Sequence, residues 1–157
     1  MKFRIDTAIE PDAGALTAFP QWPASRHLEK QRIKLLEPYL CEWADERGNL
    51  RSMVAPSGFV HNMASVPRPF WAIISPYDCG PAAIFHDYAY HVRGAVPPWP
   101  TLDRGFARGG VVLNRKQSDD LFLALMRADG IGRFDRFAAW RAVRRFGQGA
   151  WRRDSGN

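Results

Sequence analysis

Asp78-Cys79-Gly80-Pro81-Ala82-Ala83-Ile84-Phe85-His86-Asp87-Tyr88-Ala89-Tyr90-His91 is the stretch on which the reading of this chain turns. It has the grammar of a helix start followed by a helix body. Asp78 or Gly80 can cap it. Pro81 suits the first helical position, where a missing N–H has no helical partner to lose. Residues 82–85 are apolar, and His86 and Asp87 follow directly, with tyrosines at 88 and 90 and another imidazole at 91. An imidazole and a carboxylate set in such a run are costly to bury unless each is paired or holds a metal. The helix over 81–91 is therefore the element around which the chain is arranged.

A second helix is predicted over 114–129. Asn114 is a good cap, Leu121, Phe122, Leu125 and Met126 recur at helical spacing, and Asp129-Gly130 closes the run. Asp119 adjoins that apolar stripe and is expected to point inward, with Arg115 four residues before it on the same face, while Asp120 is read as solvated. A last helix over 133–147 takes its apolar side from Phe134, Phe137, Ala138 and Val143. Arg133, Arg136, Arg141, Arg144 and Arg145 make the remainder basic.

Upstream, residues 31–60 read as a β-meander. Ile33 and Leu35, then Tyr39, Cys41 and Trp43, alternate with strand period, and turn signals stand at 45–49 and 56–58. Residues 58–77 read as a loop carrying His61, Asn62 and Ser65, whose polar side chains are expected near the start of the central helix. Residues 92–113 form a Pro- and Gly-rich connection, either a lid or an excursion. The expected fold is α+β: a small antiparallel N-terminal sheet or hairpin followed by about three packed helices. It divides into an arm over 1–30 with a short strand near 2–5, one domain over 31–150, and a polar tail over 151–157.

Composition bounds the function. The 157 residues suffice for one domain with a core, and 46% apolar against 24% charged residues are values of an ordinary globular chain. No apolar run is long enough to cross a bilayer, and the first residues lack the apolar core of a signal peptide. The expected location is thus the host cytoplasm or a virion, without secretion by a signal peptide. Two distant cysteines, Cys41 and Cys79, are expected as reduced thiols. A net charge of +6 favours an anionic surface as partner. No motif for sequence-specific nucleic-acid reading is present.

Three blocks in this order carry a family resemblance: Gly58-Phe59 with Ala64-Ser65-Val66-Pro67; Ala83-Ile84-Phe85-His86-Asp87-Tyr88-Ala89-Tyr90; and Arg115 with Asp119 and Phe122. They are similar to a family of tailed phages and prophages known as domain of unknown function 1353. The resemblance covers roughly positions 50–147, with Asn62 standing where that family usually has an acidic residue. The His86, Asp87 and Tyr90 block also resembles the secreted phospholipases of the A-two class. In that class the histidine activates water, the adjacent aspartate holds calcium and a second aspartate orients the imidazole. The resemblance implies His86, Asp119 and Tyr90 as catalytic residues, Asp87 as ligand of calcium or magnesium, and Asn62, Ser65 and Arg115 as a supporting set. The glycine-rich calcium loop and the disulfide framework of that class are missing here. The HD phosphohydrolases share the apolar-apolar-His-Asp pattern, with His61 and Asp119 as nominal further ligands, but their all-helical order does not suit the predicted hairpin.

The expected function is a phage or prophage accessory protein with a His/Asp hydrolase-like site for lipid, phosphoester or cell-wall material. The alternative is a virion or tail assembly component that binds other phage proteins. In that reading His86, Asp119 and Tyr90 form a structural hydrogen-bond network.

Overall fold

The computed structural model describes residues 23–28, 32–45, 49–62, 79–100 and 107–153. Within them an N-terminal β region precedes a set of packed helices, so the fold is α+β. The strands are β1 (Ser25–Leu28), β2 (Arg32–Leu35), β3 (Tyr39–Ala44), β4 (Leu50–Ala55), β5 (Val60–Asn62), β6 (Pro98–Pro100) and β7 (Ala107–Gly109). The helices are α1 (Gly80–His91), α2 (Arg115–Ala128), α3 (Arg133–Phe146) and the short α4 (Gln148–Arg153).

Alternation decides which face of each strand is buried. In β2 Ile33 and Leu35 point inward, and in β3 Tyr39, Cys41 and Trp43 do. The β3–β4 hairpin pairs Cys41 with Met53. Asp45 holds its turn by accepting from the Asn49 N–H at 2.9 Å and pairing with Arg51 at 3.0 Å. The meander expected over 31–60 is not the observed order. β2 pairs antiparallel with β1 and β5, and the β3–β4 hairpin is inserted between β2 and β5 as a separate two-stranded sheet. Pro38, exposed in the 36–38 bend, lacks the N–H needed to continue the β2 ladder, and the chain leaves the sheet there. Two stretches read as irregular also differ. Ser25–Leu28 and Val60–Asn62 are strands, because pairing with β2 supplies backbone partners that their own sequences do not announce.

Of the twelve residues of α1, ten are buried, leaving Asp87 half-buried and His91 exposed. It is a core helix rather than an amphipathic one. Ile84 and Phe85 are fully inside, and Phe85 stacks on Tyr39 of β3 at 5.0 Å. The N-cap is Cys79, without a side-chain cap, so Pro81 is the second rather than the first helical residue. Asp78, the strand expected near 2–5, Ser65 and the apolar run 70–74 lie outside the described residues.

The end of α1 is tied to the start of α2. Gly94 donates to Ala89 O at 2.7 Å and accepts from Leu113 N–H at 2.9 Å, and Val96 N–H reaches Val111 O. Gly94 has φ +74°, and a Cβ there would stand 1.7 Å from Leu113 O, so this crossing admits only glycine. The connection 92–113 is thereby closed at its base, and beyond it β6 and β7 form a hairpin lying beside β4. α2 starts with a reciprocal capping box: Asn114 Oδ1 accepts from Gln117 N–H, and Gln117 accepts from Asn114 N–H. α3 packs on α2, and its buried residues are Ala139, Ala142 and Val143. The expected apolar side of α3 is corrected here, since Phe134 and Phe137 face outward and are exposed. Small residues are the ones that let the two helix backbones come close. Cys41 and Cys79 are not joined in a disulfide, and both are buried.

Candidate functional site: a buried carboxylate hub on the central helix

On α1 His86 and Tyr90 are four residues apart and share a face. On α2 Asp119 falls in the turn after the cap, on the side turned to α1. The three meet in the core. Asp119 is 0% exposed and accepts from His86 Nε2–H at 2.9 Å and from the Tyr90 hydroxyl at 2.7 Å, both on Oδ1. Its Oδ2 accepts from Arg144 at 2.7 Å and from Arg115 at 3.5 Å. Arg115 also reaches the Val143 and Arg144 carbonyls at 3.4 and 3.2 Å, joining the start of α2 to the end of α3. The expected inward Asp119 and its partnership with Arg115 are both present. Asp120, by contrast, is not solvated: it is half-buried, accepting from Trp140 Nε1 at 3.1 Å and pairing with Lys116.

The electrostatics follow from these contacts. Burial alone would raise the Asp119 carboxyl, but His86, Tyr90 and Arg144 together hold it below the usual carboxylate range. Burial alone would lower His86, but the bond to Asp119 and the charges of Asp119 and Asp87 carry its pKa above the ordinary histidine value. Tyr90 is pushed up by burial and by the Asp119 charge, and stays a neutral donor. An ionised carboxylate only accepts, so His86 Nε2 carries the proton and, in the neutral ring, Nδ1 carries the lone pair.

That Nδ1 faces a second group of ionisable residues. It stands 4.0 Å from Asp87 Oδ1, while Asp87 Oδ2 stands 3.9 Å from Nδ1 of His61 on β5. Both distances exceed a hydrogen bond. Among the described residues His86 Nδ1 and both nitrogens of His61 have no hydrogen-bond partner, although both rings are buried. Burial pushes His61 down to about 4, so it is neutral at ordinary pH. Phe59 stacks on His61 at 6.4 Å and meets Tyr88 edge-on at 5.2 Å, walling the pair. The other wall of the hub is Phe122, 4.7 Å from His86. Trp151 of α4 meets Tyr90 edge-on at 5.0 Å.

A family model described as Protein of unknown function (DUF1353) matches residues 33–143. The chain belongs to this phage-associated family. The match takes in β2 through most of α3 and with them His61, His86, Asp87, Tyr90, Arg115 and Asp119. No curated protein and no solved structure gave a match to the chain.

Of the residues singled out from the sequence, His86, Tyr90, Asp119 and Arg115 are brought into one network, and Asp87 lies on its far side. Asn62 is on β5, paired with Arg32 in register; Ser65 lies outside the described residues. Arg144 was read as part of the basic surface and instead supplies the shortest cationic contact of the hub. The signal that could have found it is its spacing of four from Trp140, which places both on the face of α3 that reaches α2, Trp140 bonding Asp120. Among the described residues no three His, Cys, Asp or Glu side chains form a metal-binding group, and no helix is long and apolar enough to cross a membrane.

Proposed function

We propose that this phage-family protein is a small hydrolase of ester or phosphoester bonds with His86 as its base. The observation that carries the reading is the asymmetry of the imidazole. Asp119 holds Nε2, while Nδ1 has no hydrogen-bond partner among the described residues and carries the lone pair in the neutral ring. A purely structural clasp would satisfy both nitrogens; a base needs one held and one able to take a proton. In this reading Nδ1 takes a proton from water as the water oxygen attacks the ester carbon or phosphorus, and returns it to the departing alcohol oxygen as the C–O or P–O ester bond breaks. Asp119, backed by Tyr90, Arg144 and Arg115, stabilises the resulting imidazolium; these four are positioning residues. Asp87 is the carboxylate through which a hard divalent cation, calcium or magnesium, would be held to polarise the substrate oxygen, its other ligands being water and substrate oxygens.

One observation favours a second reading. His86 is only 3% exposed and Asp119 gathers four donors, as a network that specifies packing would. The protein would then be a virion or tail assembly component. His86→Gln separates the two, because the glutamine amide N–H stands near the Nε2 position and can still donate to Asp119, but cannot titrate. Release of fatty acid from phosphatidylglycerol and of nitrophenolate from bis-p-nitrophenyl phosphate is the readout. A base predicts a folded variant with turnover lower by about 10²–10⁴-fold. A folded variant as active as the parent, or a parent inactive on both substrates with calcium or magnesium present, refutes the hydrolase reading.

A further inference from the structure

Positions 134, 137, 141 and 145 of α3 lie at spacings of three, four and four residues, on one helical face. That face carries Phe134, Phe137, Arg141 and Arg145 and is turned away from Ala139, Ala142 and Val143, which pack inward. Phe134 is 85% exposed and Phe137 51%. Arg141 lies over the Phe137 ring at 6.0 Å, and Arg145 over the Phe146 ring at 5.7 Å. Arg133 is exposed next to Phe134. Arg141 and Arg145 are like charges four apart, an arrangement that disfavours the isolated helix. Among the described residues neither is paired with a carboxylate. The fold leaves these rings exposed to solvent and these guanidinium charges without a carboxylate partner among the described residues. Both are what an anionic interface would reward.

We infer that this outer face of α3 docks flat on an anionic phospholipid surface, with Phe134 and Phe137 entering the headgroup boundary and Arg133, Arg141 and Arg145 on lipid phosphates. Charge complementarity selects the occupant: phosphodiesters match guanidinium groups bidentately, and the chain carries +6 overall. Aromatic rings flanked by arginines on a convex helix fit the plane of a membrane interface. Single-stranded nucleic acid would share the phosphates, but it is held in grooves with free aromatic faces for bases. Here Phe137 already stacks with Trp140 at 5.7 Å and lies under Arg141, so the ring edges rather than the faces are offered. The inference goes beyond the hydrolase reading and does not depend on it.

The test is sedimentation of the full-length protein with vesicles of phosphatidylcholine, alone or with one-third phosphatidylglycerol, at low and at high salt. The expected result is binding to the anionic vesicles only, weakened by salt. Phe134→Ser with Phe137→Ser should reduce it by at least about tenfold, as loss of two inserted rings requires. Arg141→Glu with Arg145→Glu should abolish it. Both pairs are exposed, and equal melting curves for parent and variants verify the fold. Four outcomes would overturn the inference: no vesicle binding, equal binding to neutral vesicles, binding insensitive to the phenylalanine pair, or displacement from vesicles by stoichiometric single-stranded oligonucleotide.

Discussion

Asp119→Asn is the substitution that tests the hub most directly, because it keeps size and removes charge. Two donors converge on each oxygen of the native carboxylate: His86 and Tyr90 on Oδ1, the arginines on Oδ2. An amide has one accepting oxygen, so its NH₂ must face one of these pairs. The arginines cannot accept, whereas a hydroxyl and a neutral imidazole can. The amide oxygen therefore turns to Arg144 and the NH₂ turns to His86, whose proton moves to Nδ1. Removing one partner of a buried ion pair costs about 3–5 kcal/mol; the hydrogen bonds the amide keeps reduce this to about 2–4 kcal/mol. The loss also depends on pH. His86 is raised in the fold, so its contribution is full below about pH 6.5 and disappears as pH climbs through its folded value. Asp119 is lowered, so its contribution holds above the ordinary carboxyl value of 3.8 and is lost as pH falls through its folded value. Parent and variant should thus differ most between about pH 4 and 6.5 and differ less, though still measurably, at higher pH, where the arginine contacts of Asp119 remain. Urea unfolding at pH 5.5 and 8.5, with nitrogen-15 spectra of the imidazole to assign its tautomer, measures both effects. A loss below about 0.5 kcal/mol at pH 5.5, or an imidazole still protonated at Nε2 alone, would refute the reasoning.

Tyr90→Phe removes one donor from a buried charge and should cost about 1.5–3 kcal/mol in urea unfolding, with the Asp119 pKa moving up toward ordinary values. His61, held neutral in the fold down to about pH 4, costs stability as pH falls from 6.5, because the unfolded chain takes up the proton first. His61→Leu should accordingly remove about 2–3 kcal/mol of acid-induced loss between pH 7 and 4.5, read as a flatter melting temperature against pH. Gly94→Ala drives a Cβ into the Leu113 carbonyl at a positive φ and should destabilise the fold by more than about 2 kcal/mol, whereas the same change at Gly130, where nothing lies within 4 Å of the added Cβ, should cost about 1–2 kcal/mol from its φ alone.

Much of the candidate site was legible in the chain. The adjacency of His86 and Asp87 in an apolar run marked the helix, and the place of Asp119 beside Phe122 and Met126 marked its partner. The fourfold spacing of His86 to Tyr90 and of Arg115 to Asp119 put each pair on one face. What spacing left open was which surfaces meet. Phe134 and Phe137 look like core by residue type, yet they are exposed, and the buried residues of α3 are Ala139, Ala142 and Val143. Arg144 reaches Asp119 from the same face of α3 as Trp140, which bonds Asp120.

Local sequence by itself determined α1, α2 and α3, the capping box of α2 and the inward carboxylate, because helical period and capping chemistry act over a few residues. Only the tertiary structure decided that β5 leaves the β3–β4 hairpin aside to pair with β2, and that this brings His61 to Asp87 across the core. Strand partners and buried charges are chosen by what surrounds them in space. The 24 residues between His61 and His86 carry no local signal that the two imidazoles will face one carboxylate.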